Sequence, residues 1–215
     1  MEIEKTMNVE NSQNLELTDW IFEQIIEGVV PLSSAQNLAD EYLNSFYKNN
    51  DERVNDLINR EATKNFASGF LTGFGSLWTL PVTIPTSLAV SYVIQGSLAG
   101  AIAVIYGHDL HDKRVKTLII LSIVGDSAKE ILKQAGVKVS YSVTEKLISQ
   151  IPAKLLIKIN KIVGFYLISK VGEKALINLI KITPIVGGIF TGTVDAITCQ
   201  MVGKTAQSLF RTNDL

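Results

Sequence analysis

"NFASGFLTGFGSLWTLPVTIPTSLAVSYVIQGSLAGAIAVIYGH", Asn65 to His108, runs for 44 residues without an Asp, Glu, Lys or Arg. Pro81 and Pro85 divide it, because proline has no amide proton for an interior helical turn and pushes the preceding residue out of helical geometry. The pattern predicts two apolar helices with a bend at "LPVTIP". The second, Thr86 to Gly107, would extend about 33 Å and is long enough to cross a hydrocarbon core. Thr86, Ser87, Ser91, Gln95 and Ser97 punctuate it, and Gly69/Gly73 and Gly96/Gly100 form small-xxx-small pairs that let helices approach closely. Two readings stand: the buried hairpin of a helical bundle, which the polar punctuation favours, or a hairpin that enters lipid. Either way Trp78, Pro81, Pro85, Gly96 and Gly100 mark an apolar element.

To either side of this stretch the chain is polar and helical in pattern. "LTDWIFEQIIEGVV" sets Trp20, Ile21, Ile25 and Val29 at helical spacing behind Thr18, an N-cap candidate. "SSAQNLADEYLNSFYKN" predicts a second helix with Leu38, Tyr42, Leu43, Phe46 and Tyr47 on one stripe. "DERVNDLINREATKNFASGF" predicts a third, charged at its start and apolar at its end. In "HDLHDKRVKTLIILSIVGDSAKEILKQAG", Asp112 caps a helix whose inward side is Val115, Leu118, Ile119, Ile123, Ile131 and Leu132, and Gly136 ends it. The remainder is helical with breaks near Pro152 and Pro184, and no alternating run bounded by hairpin turns suggests a strand. The predicted class is all-α, a compact multi-helix bundle with a central apolar hairpin: a flexible acidic arm over 1–15 and one helical domain over 16–211.

With 215 residues, 47% hydrophobic and 19% charged, the chain is long enough for one substantial core. Twenty Lys and Arg balance 21 Asp and Glu, so no global field points to a nucleic acid. Cys199 is the single cysteine and fits a reducing compartment, and the N-terminus lacks the basic and apolar regions of a secretory signal. The cytoplasm is the expected location.

Charge is distributed unevenly. Seven acids face one base, Lys5, in the first thirty residues, whereas ten lysines face three glutamates between Lys129 and Lys181. Lys154, Lys158 and Lys161 stand at i, i+4 and i+7, with Leu155, Leu156, Ile159, Ile162 and Val163 as the apolar side. Lys170 and Lys174 begin a second stripe, which a continuous helix would turn to nearly the opposite side, so a break or a re-facing is expected near Gly164 or Gly172. A lysine-fringed amphipathic helix is the form that lies on an anionic bilayer. The five lysines 154, 158, 161, 170 and 174 are therefore the candidate lipid-binding residues, and the acidic N-terminal segment is expected to compete with lipid for them. This places the protein peripherally at the inner membrane.

Signals for chemistry are weaker. His108, Asp109, His111, Asp112, Asp126 and Glu130 include metal-ligand types, but H-x-x-H in a loop lacks the i, i+4 spacing that sets two imidazoles on one helical face. His108, His111 and Asp112 are the metal candidates, in a hydrolase reading with Asp126 as base. Asp126 follows "TLIILSIVG" and Asp195 lies in "GGIFTGTVDAITCQ", so both are expected to be buried polar groups that need a partner. Cys199 has no local nucleophile signature, and no Walker loop, dinucleotide fingerprint or G-x-S-x-G occurs. No cofactor is implied.

The elements "LPVTIP", "YGHD", "GDSAKE", "INKIVGF" and "PIVGG" together resemble the EcsC protein family over most of the chain from about Phe66 onward. The resemblance implies a bacterial, mostly helical protein of poorly understood role, sometimes linked to an ABC transporter system, and it carries over no catalytic residue. Two further readings remain beside lipid binding: the metal-dependent hydrolase above, and a soluble adaptor for a membrane-protein complex.

Overall fold

A helix that is apolar on every side has to be surrounded, and α4 (Thr86–Ile105) is. In the computed structural model it packs against α1 (Glu2–Glu27), α2 (Ala35–Leu43), α3 (Asn50–Ala67), α5 (Lys113–Ser122) and α8 (Gly187–Phe210). A turn of 3-10 helix (Gly125–Ser127), α6 (Ala128–Ala135) and α7 (Ala153–Ile180) complete the chain order. The structure describes the backbone of residues 2–28, 32–67, 84–137, 151–180 and 187–211, and side chains within 12–28, 32–63, 84–85, 88–137, 151–169 and 196–211. Among the described residues there are eight α-helices and no strand, so the fold is all-α.

The small residues of α4 explain how so many neighbours reach it. A Cβ on Gly96 would lie 2.2 Å from Ile25 Cδ1, and one on Gly100 would lie 2.7 Å from Ala35 Cβ. Ile123 and Ile119 of the α5 region close on the same two glycines. The Gly96/Gly100 pair is thus a groove that seats α1, α2 and α5, the close approach its spacing predicts. Leu98, Ala99, Ala101, Ile102 and Ala103 are all fully buried or nearly so.

Local chemistry sets the helix ends. Ser34 Oγ accepts from the Asn37 amide at 3.2 Å to start α2, and Asp112 Oδ1 accepts from the Arg114 amide at 2.6 Å to start α5. Asn49 Oδ1 accepts from the Glu52 amide and Glu52 Oε2 accepts from the Lys48 amide, so two side chains satisfy amides at the start of α3. Pro85 immediately precedes α4, and Pro152 immediately precedes α7. Gly136, at φ +95°, closes α6 as expected.

Several elements differ from the sequence pattern. Thr18 does not cap a helix: α1 already runs from Glu2, the expected boundary at residue 15 falls inside it, and the Thr18 hydroxyl donates to the Leu15 carbonyl at 2.9 Å. Leu17, Ile21 and Ile25 are fully buried, so this part of the acidic segment belongs to the core. Asp19 pairs with Lys116 of α5 at 2.9 Å. The α2 stripe stops early, because the helix ends at Leu43 and leaves Phe46 96% exposed on the following turn. The single helix expected after Asp112 is two helices, divided at Gly125, whose φ of +58° the interior of an α-helix does not accommodate. The expected break near Gly164 or Gly172 is absent, and α7 runs unbroken through both.

Candidate functional site

The inner side of α7 is conventional. Leu156, Ile159, Val163 and Leu167 are buried at helical spacing. Gly164 lies so close to α1 that a Cβ there would meet the Asn14 carbonyl oxygen at 2.2 Å. Tyr92 of α4 donates its hydroxyl to the Leu167 carbonyl at 3.0 Å in the core, and burial pushes the Tyr92 phenol up to about 12. Ser127 Oγ and Tyr166 Oη form a hydrogen bond at 2.7 Å, which ties the 3-10 turn to the helix.

The outer side is not. Lys154, Ile157, Lys158 and Phe165 are exposed and Lys161 is half-buried. At about 100° per residue these five fall within an arc of roughly 100°, along some 16 Å of helix. Ile157 is 53% and Phe165 60% exposed, large apolar side chains set between lysines. No Asp or Glu occurs anywhere between Glu145 and Glu173, so no carboxylate on this helix face offsets the lysines. Lys158 is the most constrained of the three: its ammonium donates to the Ala135 carbonyl at 3.3 Å, one of the orphan carbonyls at the end of α6.

Lys154, Lys158 and Lys161 are therefore brought onto one face. Lys170 and Lys174 belong to the same continuous helix, but their side chains lie outside the described residues, as do Trp78, Pro81 and Asp195. Ile157 and Phe165 were not singled out by the sequence reading. The signal is present in the sequence, since they follow Lys154 at i+3 and i+11, in phase with Lys161 at i+7.

The metal and base candidates do not converge. His108 Nε2 is 2.8 Å from the Phe210 carbonyl oxygen and its ring lies against the Phe210 ring, with centroids 5.3 Å apart. His111 is exposed and its Nδ1 sits 3.0 Å from Asp109 Oδ1; the His111 amide and ring together hold the Asp109 carboxyl below its usual range. Asp112 is engaged as the α5 cap. Asp126 is exposed rather than buried, because the chain leaves the core at Gly125 and the 3-10 turn carries the carboxylate outward. Among the described residues no three His, Cys, Asp or Glu side chains are grouped as a metal would require.

"YGHD" instead organises one end of the bundle. Tyr106 donates to Asp51 Oδ1 at 2.6 Å, Arg211 pairs with the other oxygen of Asp51, and Gln207 donates to the Tyr106 hydroxyl at 3.4 Å. Lys204 donates to Asn55 Oδ1 at 2.6 Å. Burial first, and then the bond to Asp51, push the Tyr106 phenol up to about 12. Together with the His108 contact to Phe210, these bonds fasten the end of α8 to the ends of α3 and α4.

Among the described residues, one helix is long and apolar enough to span a membrane, Leu88–Ile105, and 83% of it is buried inside the protein. These features define the class: an all-helical protein wrapped round one apolar helix, with a basic, partly apolar face on a peripheral helix. The chain belongs to the EcsC protein family, whose profile matches residues 11–213. Comparisons with curated proteins and with solved structures give no match.

Proposed function

We propose that this protein binds the surface of an anionic membrane through the outer face of α7, and that it does so as a folded, peripheral protein. The observation that carries this reading is the cluster of Lys154, Lys158 and Lys161 on one acid-free helix face. A bilayer containing anionic lipid attracts such a face by about 1 kcal/mol per near-surface base, within a Debye length of the headgroups. The burial of α4 supports peripheral binding over a crossing, because α1, α2, α3, α5 and α8 already occupy its sides. A membrane protein with an acidic surface, such as a transporter subunit, is the alternative occupant of the same face.

Flotation of the purified full chain with anionic and with neutral vesicles, at low and high salt, tests the proposal. Binding to anionic vesicles that weakens steeply with salt is expected. Equal binding to neutral vesicles would overturn the electrostatic role of the lysines. Failure to float with anionic vesicles at low salt would remove the lipid reading altogether.

A further inference from the structure

Lysines alone would hold a protein above a bilayer; the same face also presents Ile157 and Phe165, and water is a poor solvent for both. Resting on the membrane reading above, we propose that Ile157 and Phe165 are insertion anchors that enter the boundary between headgroups and acyl chains of an anionic bilayer, with α7 lying in the membrane plane.

Three observations converge on this. The two side chains are 53% and 60% exposed, whereas Leu156, Ile159, Val163 and Leu167 of the same helix are buried, so the outward pair is not surplus core. They stand among Lys154, Lys158 and Lys161 within one arc, so an orientation that sets the ammonium groups at the phosphate level sets Ile157 and Phe165 at or just below it. Lysine stems span that depth while keeping the charge in water. Finally, α7 is fixed on the flank next to Ile157 by the Gly164 contact with the Asn14 backbone, and elsewhere by the Tyr92 bond to the Leu167 carbonyl and the Ser127 bond to Tyr166, so Phe165 is held outward by its neighbour on either side.

The other exposed apolar side chains lack this company. Leu43 ends α2 and Phe46 stands on the turn after it, in a stretch that also carries exposed Glu41 and, a few residues on, exposed Glu52. Met201 of α8 lies against Gly125 of the turn that carries exposed Asp126, one helical turn from Ile197. Carboxylates beside an apolar patch oppose contact with an anionic bilayer, and the α7 face gathers three lysines around its two exposed apolar side chains, against the single Lys204 in phase with Ile197 and Met201 on α8.

The test compares the wild type with Ile157→Ser/Phe165→Ser and with Lys154→Gln/Lys161→Gln, using vesicles of phosphatidylcholine with about one-third phosphatidylglycerol, or phosphatidylcholine alone. Each serine substitution is expected to weaken anionic-vesicle binding by about tenfold, the scale of one medium apolar side chain entering the interface. It should also abolish whatever binding survives high salt. The glutamine pair should weaken binding at low salt and leave the salt-resistant part in place. If the serine pair binds like the wild type while the glutamine pair does not, insertion is overturned and the electrostatic surface stands. If wild type ignores anionic vesicles, both readings fall. Phe165→Trp gives an independent readout: its emission, after subtraction of wild-type Trp20 and Trp78, should shift to the blue on anionic vesicles and be quenched by brominated acyl chains. An unshifted, unquenched signal from bound protein would overturn insertion even where the serine variants fold poorly.

Discussion

α4 and α7 are both rich in aliphatic residues, both contain glycine and both lack acids over the described side chains, yet they hold opposite places in the molecule. α4 has no charge and is surrounded; α7 has three lysines on one side and presents large apolar groups to the outside. Continuous apolarity is a signal of burial in whatever solvent the rest of the chain creates, and here five neighbouring helices supply that solvent. An apolar side chain in phase with lysines is a different signal. The charges keep the helix at the surface, and whatever apolar group shares their arc is exposed with them.

The sharpest way to break the comparison is to place a charge on each helix. Ile102→Lys buries an ammonium at a fully buried position of α4, and it is expected to cost about 3–5 kcal/mol, enough to unfold a marginal domain. Ile157→Lys on α7 should change stability by about 0.5 kcal/mol or less. Urea unfolding followed by circular dichroism checks both. Similar losses would mean that the outer face of α7 is packed in solution.

The glycines sharpen it next. Gly96 and Gly164 have the same clearance, 2.2 Å from a built Cβ to the nearest atom, but the obstacle at Gly96 is the tip of Ile25 and at Gly164 the backbone oxygen of Asn14. An isoleucine tip can rotate, and alanine recovers up to about 1 kcal/mol of helix propensity, so Gly96→Ala should stay within about 1 kcal/mol of neutral. A backbone oxygen moves only if α1 moves, so Gly164→Ala should lose about 1–3 kcal/mol. Reversal of that order in thermal unfolding would place the tight α1–α7 contact elsewhere.

Much of this arrangement could be read from the chain. The helical class, the start of α4 after Pro85, the cap at Asp112, the stop at Gly136 and the inward side of α5 and α6 all follow from local chemistry, which acts over a few residues. What did not follow depends on neighbours. The burial of α4 needs α1, α2 and α8 around it, and hydropathy alone is the same for a core helix and a bilayer helix. The break at Gly125 was hidden because a lone glycine also fits inside a helix. Asp126 was expected inside by continuation of "TLIILSIVG", and that one turn reversed its environment. In α7 the expected break near Gly164 rested on the second lysine stripe, and the demand of Asn14 for a close, Cβ-free contact explains the glycine without any break.

Tyr92 links the two helices directly, and its titration tests that link. The phenol is pushed up to about 12 by burial, as Tyr106 is at the far end of α4. The neutral phenol is favoured in the folded protein, so its contribution is complete below pH 10, where both states are protonated. It is lost as pH rises from about 10 through 12, because the unfolded chain sheds the proton first. Stability should fall over that window, by on the order of 2 kcal/mol for Tyr92. Tyr92→Phe should lower stability at neutral pH through the lost bond to Leu167 and flatten the alkaline decline. A decline as steep as wild type in the variant would assign the effect to other groups.

The smallest expected effect separates the lysines from one another. Lys154 has no protein partner among the described bonds, whereas Lys158 already donates to the Ala135 carbonyl. Transfer of Lys158 to a lipid phosphate would therefore exchange one bond for another, while Lys154 gains its interaction outright. Lys154→Gln should reduce affinity for anionic vesicles by about fivefold, matching about 1 kcal/mol for one near-surface base. Lys158→Gln should reduce it less and instead lower stability by a few tenths of a kcal/mol, since the last turn of α6 loses a cation near its negative end. Titrating each variant with vesicles and unfolding it in parallel gives both numbers. If Lys158→Gln is the more damaging for binding and silent for stability, the ammonium belongs to the lipid face, and α6 is held by Gly136 without it.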